Sequence, residues 1–151
     1  MIDSSYCLKM DLLVFIIANL INISIMVIFY VRSKGYKTAE FLLGLFCIIM
    51  GLPICLVMVL NILNHRDWWR TVLLIPVFIF LIIELLYDYI LKIDFRKTAF
   101  VGPYIIIFLI GLNGLIGYSF LIGRLYGLIT LITYFLNIFV MLYYYFQKKL
   151  H

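Results

Sequence analysis

Residues 103–146 read PYIIIFLIGLNGLIGYSFLIGRLYGLITLITYFLNIFVMLYYYF, and whether this run is one helix or two decides how many times the chain crosses a membrane. As one helix it would be about 66 Å long at about 1.5 Å per residue, twice what a ~30 Å hydrocarbon core requires. Only Gly123-Arg124 interrupts its hydrophobicity. The run must break there, and Gly117, Gly123 and Gly127 supply residues that tolerate the backbone angles of helix ends and turns.

Outward from this junction the remaining sequence reads as three more apolar runs, which gives five spans at about 11–31, 39–63, 70–91, 103–122 and 125–146. The 151 residues are 67% hydrophobic and 13% charged, and mean hydropathy is +1.19. A water-soluble domain has about 45–50% apolar and about 25% charged residues, so a chain of this size could not hide its apolar surface in water. The expected fold is an all-α integral membrane protein, a single domain over 1–151 forming a five-transmembrane-helix bundle with short loops.

The basic residues test the span count independently. With five spans, Arg32, Lys34, Lys37, Lys92, Arg96, Lys97, Lys148 and Lys149, eight in all, fall on one side, and Lys9, Arg66, Arg70 and Arg124, four, on the other. Merging the last two runs strands Arg124 in the bilayer and erases most of that bias. The positive-inside rule therefore predicts five spans with the N-terminus outside and the C-terminus cytoplasmic. The first span is expected to be retained, because its apolar run is longer than that of a cleavable signal and no small-residue cleavage site follows it.

The net charge of +5 is dispersed among segments flanking the apolar runs, the pattern of topogenic and lipid-contacting charge. Nucleic-acid binding is not expected. Cys7, Cys47 and Cys55 form no CxxC, and His65 and His151 lie in a connector and at the C-terminus, so neither a metal site nor a cofactor is predicted. The Tyr143–Tyr145 run, Tyr87, Tyr89, Trp68 and Trp69 sit near span ends, where amphipathic rings act as interfacial anchors.

Chemistry concentrates on Glu84 and Asp88 in the third run. Four residues apart, they share a helix face, and ionisable groups in hydrocarbon are costly and usually functional. Asp88 lies about 4–5 Å from the expected end of its span and is positioned to pair with Lys92. Glu84 is deeper, at about 10 Å, and burial beside a like charge should raise its pKa. Asn22 and Ser24 on the first span, Asn113 on the fourth and Asn137 on the fifth fall at similar depths, roughly 10–15 Å from the same surface. One polar layer is therefore expected, with Glu84 at its edge. These six residues are the candidate ion- or solute-binding groups, either lining a hydrated cavity or hydrogen-bonding helices together.

Small residues mark packing faces. Gly44, Cys47, Gly51 and Cys55 recur every three or four positions on the second span, as do Gly111, Gly114 and Gly117 on the fourth, and small side chains let helix backbones approach closely. Pro53 should kink the second span.

Three functions fit this sequence. The first is a small transporter or permeation unit for protons, cations or a small polar solute, working through an intramembrane carboxylate. The second is a structural or assembly subunit of a membrane complex, and the third an integral membrane enzyme acting on a lipid or isoprenoid with Glu84 and Asp88 near the headgroups. The expected partners are the lipid bilayer and a homo-oligomer or another membrane protein.

Overall fold

The computed structural model describes residues 4–92 and 100–150. The connector expected at 92–98 falls outside them apart from Lys92, as do the side chains of Lys148 and Lys149. Within the described residues the chain is helical throughout: α1 (Ser4–Ser33), α2 (Lys37–Ile49), α3 (Gly51–Leu63), α4 (Trp68–Val72), α5 (Ile75–Glu84), a π-helical turn (Leu85–Ile90), α6 (Val101–Ile122) and α7 (Arg124–Leu150). They combine into five helices long and apolar enough to cross a membrane, namely Ser5–Ser33, Lys37–Leu63, Trp68–Ile90, Gly102–Ile122 and Arg124–Gln147.

Two of these spans are bent by proline. A ring at position i removes the bond to the carbonyl at i−4 and clashes with it. Pro53 accordingly separates α2 from α3 at Met50, and Pro76, in the first turn of α5, separates α4 from α5 at Leu73-Leu74. The junction between the fourth and fifth spans is a single residue, Gly123. Its backbone is extended (φ 168°), so no left-handed angle calls for glycine there. The requirement is at Gly127, where a Cβ would overlap the Phe120 ring. Glycine serves this turn by close approach, not by backbone freedom.

The first span is the centre of the bundle. Val14, Ala18 and Ile21 are 0% exposed, and α1 packs against α2, α6 and α7. It runs parallel to α7, with pairs in constant register: the Phe15 and Tyr126 rings meet at 5.0 Å, Asn19 pairs with Thr130, and Asn22 with Thr133. Parallel alignment follows from an odd number of crossings.

The glycines of the fourth span face the third. A Cβ on Gly111 would meet the Val77 backbone, one on Gly114 would overlap the Leu73 carbonyl oxygen, and one on Gly117 would touch the Leu73 side chain. On the second span Gly44 lies under the Tyr89 hydroxyl and Gly51 against Leu81, while Cys47 is buried and Cys55 half-buried.

Candidate functional site

Around the end of α1 lies an open cavity of about 780 Å³. Glu84 and Asp88 both line it, with Arg32, Lys37 and Glu40 from the first two spans. Tyr104 of α6 donates its hydroxyl to Glu84 Oε1, so the deep carboxylate is held from a neighbouring helix. Tyr89 donates to the Phe41 carbonyl at 2.8 Å, and Arg32 is paired with Glu40 at 2.6 Å. The rest of the wall is largely aromatic. Phe80 contacts Tyr104 and Phe108 at ring separations of 5.6 and 5.1 Å, and Phe29 contacts Tyr144 at 5.7 Å.

The helix carrying the acids is irregular beside this opening. After Glu84 the chain takes a π-helical turn over Leu85–Ile90, with Leu91 N–H bonded five residues back to the Leu86 carbonyl at 2.8 Å. Such turns are wider than an α-helix and recur at functional sites. The helix then ends, and Lys92 is exposed with a left-handed backbone (φ 52°). Asp88 lies on this turn and lines the cavity beside Glu84.

The expected polar layer divides into three. Ser24 is buried and turns to α2, on the side of Cys47. Asn22, two residues away and therefore about 200° round the helix, faces α7 and donates to Thr133 Oγ1 at 3.1 Å. There it joins a seam in which Asn19 donates to Thr130 and accepts from Thr133 at 2.9 Å, and Thr130 donates to Ser119 of α6 at 3.0 Å. Asn137 is 1% exposed and neither of its amide atoms has a hydrogen-bond partner. Asn113 is not in the layer: it lies on the outer surface and donates to its own helix at the Leu109 carbonyl, 2.8 Å away. The reason is rotational, because Gly111 and Gly114 turn their face of α6 toward the third span and leave Asn113 on the other side.

A second polar cluster, missed from the sequence, closes the opposite end of the bundle. Asp11 is buried two turns inside α1. Its Oδ2 accepts from Arg66 at 2.7 Å and Arg70 at 2.9 Å, and its Oδ1 from the Tyr118 hydroxyl at 2.8 Å. Arg66 also donates to Asn61 Oδ1 at 3.0 Å. Three spans and one connector thus meet at one carboxylate, and Asn61 of the second span joins through Arg66. Burial pulls the Arg66 guanidinium pKa down, but the hydrogen bond to Asp11 and its charge outweigh that, and the net direction is up. Arg66 is aimed inward by His65, which takes the left-handed conformation (φ 49°) that ends α3, with Arg66 N–H bonded to the Asn61 carbonyl at 3.0 Å. The available signal was a charge match: Asp11 opens the first run at the end where Arg66 and Arg70, spaced four apart, flank the second connector.

Among the described residues no group of three or more His, Cys, Asp or Glu is arranged to hold a metal ion. Family models, curated proteins and solved structures offer no match to this chain, so the reading of its function rests on the geometry above.

Proposed function

We propose that the chain is a small multi-pass membrane protein that carries a proton or a small cationic solute, with Glu84 as the group that binds it. The observation that supports this most is the cavity itself: two carboxylates from one span, a tyrosine hydroxyl from another and several aromatic rings line an open cavity of about 780 Å³. Carboxylates at membrane depth that face an interior cavity are the usual mark of an ion or proton path. The ion-paired cluster at Asp11 supports the same reading, since it ties the helices together at the end opposite the cavity.

Uptake in liposomes tests the proposal. Proton- or cation-driven flux is expected for the wild type, with loss to background in Glu84→Gln. Flux of unchanged size and pH dependence in that variant removes Glu84 from the mechanism and with it the proposal.

A further inference from the structure

We infer that α1 and α7 hold a buried water between Asn22 and Asn137, one helical turn behind the cavity wall. The site is separate from the acidic wall and does not depend on Glu84 carrying an ion.

Both asparagines lie in the seam between these two helices. Thr130, Thr133 and Asn137 recur at i, i+3 and i+7 on α7 and so form one stripe, whose first two members hydrogen-bond Asn19 and Asn22 of α1. Further along the same stripe, Tyr144 meets the Phe29 ring of α1 at 5.7 Å. Asn137 is therefore bracketed by contacts to α1 on both sides, and it is 1% exposed, as is Asn22.

Among the described residues, Asn22 Oδ1 and both amide atoms of Asn137 have no hydrogen-bond partner. Thr133, the polar side chain one turn before Asn137, is already engaged: it accepts from Asn22 at 3.1 Å and donates to Asn19 at 2.9 Å.

The unmet groups define the ligand. Two are acceptor oxygens and the third is an amide nitrogen with N–H to donate, so the species between them must both donate and accept. A hard cation would find two oxygens beside an N–H, against the about six oxygen ligands it requires. An anion would face two carbonyl oxygens. Water donates twice and also accepts, and a buried water makes about three hydrogen bonds to groups otherwise left unpaired. The spacing agrees. Thr133, where Asn22 is bound, and Asn137 are one turn apart, about 5.4 Å, close to the about 5.5 Å that two O–H···O bonds through one water cover.

The water also has a source. Beyond the asparagines on the same two helices, Ile25 and Phe29 of α1 and Met141 and Tyr144 of α7 line the cavity. Confining a water costs entropy, so a leucine that displaces it from Asn137 is still expected to give the more stable chain.

Magic-angle-spinning NMR of the full-length chain in lipid bilayers, with isotope-labelled asparagine, tests the inference. Magnetisation from water protons is expected to reach the side-chain amides of Asn22 and Asn137 but not that of Asn113, which lies on the outer surface. Asn137→Leu should abolish the transfer at Asn22 while leaving its amide signal in place, and Asn137→Ser, which keeps a hydroxyl, should retain it. Transfer to Asn137 no greater than to Asn113, or transfer at Asn22 that persists in Asn137→Leu, overturns the inference. So does a direct cross-peak between the two side chains without water transfer, the signature of an amide–amide bond. The wild-type comparison decides by itself where a variant does not fold, and neither outcome bears on flux through Glu84.

Discussion

Arg66 Nη2 lies 2.7 Å from Oδ2 of Asp11, across 55 residues of sequence, and both side chains are about nine-tenths buried. A carboxylate in that position holds two guanidiniums and a phenol at once, so its loss leaves more than one group without a partner. Breaking a buried ion pair by removing one member costs about 3–5 kcal/mol. Asp11→Asn is therefore expected to lower the detergent-solubilised unfolding midpoint strongly, while Tyr118→Phe, which removes one hydroxyl donor, should cost about 1–2 kcal/mol. Similar small losses in both variants would show that the cluster does not hold the bundle together.

His65 carries a positive φ of 49° where the second span ends. A non-glycine residue in the left-handed region costs roughly 1–2 kcal/mol, and glycine removes most of that at an entropic cost smaller than the strain. His65→Gly should raise the thermal midpoint slightly while leaving Arg66 in place. A fall in the midpoint would assign the imidazole a contact that matters more than the backbone.

Asn137 buries an amide with neither atom hydrogen-bonded. An unsatisfied buried polar group costs about 1–3 kcal/mol in proteins, and leucine is close to asparagine in shape. Asn137→Leu is expected to stabilise the chain by about that amount in thermal or chemical unfolding. Destabilisation would mean that the amide has a partner when the chain is in its membrane.

Gly114 sits where any Cβ would overlap the Leu73 carbonyl oxygen. Backbone atoms cannot rotate out of the way, so Gly114→Ala must push the third and fourth spans apart. Overpacking of this kind costs about 1–3 kcal/mol. Gly102→Ala, with nothing within 4 Å of the added methyl, is the control and should be near neutral. Equal midpoints for the two variants would remove the close approach from the packing argument.

Much of the architecture is one-dimensional information. Each apolar run long enough to span a bilayer is visible as a run, and the helix must stop near Gly123 because 44 residues are too many for one crossing. The same holds for the kink at Pro53, where a missing N–H is a property of the residue itself. The span ends were less legible. The first helix begins at Ser4, not near Asp11, because helix formation continues past the point where hydrophobicity fades.

The candidate site divides along the same line. That Glu84 and Asp88 share one helix face follows from their spacing, but that this face lines a cavity with Tyr104 and Arg32 depends on how the neighbouring helices pack, and the π-helical turn at Leu85–Ile90 is one that no spacing rule anticipates. Depth along a helix can be counted from the sequence, and it placed Asn22, Ser24, Asn113 and Asn137 at one level. Rotation about the helix cannot be counted without knowing which neighbour each face meets. Asn22 therefore turned to α7, Ser24 to α2, and Asn113 to the outer surface.

By itself the sequence determined that this chain forms five apolar helices and carries acidic side chains within one of them, because length, hydropathy and periodicity are local properties. Only the tertiary structure decided that Asp11 gathers Arg66, Arg70 and Tyr118 at one end, and that Glu84, Asp88 and Tyr104 face a shared cavity at the other. Asp11 is 55 or more residues from each of its three partners, and Tyr104 sits on a different helix from Glu84 and Asp88, so what brings them together is the rotation and packing of whole helices.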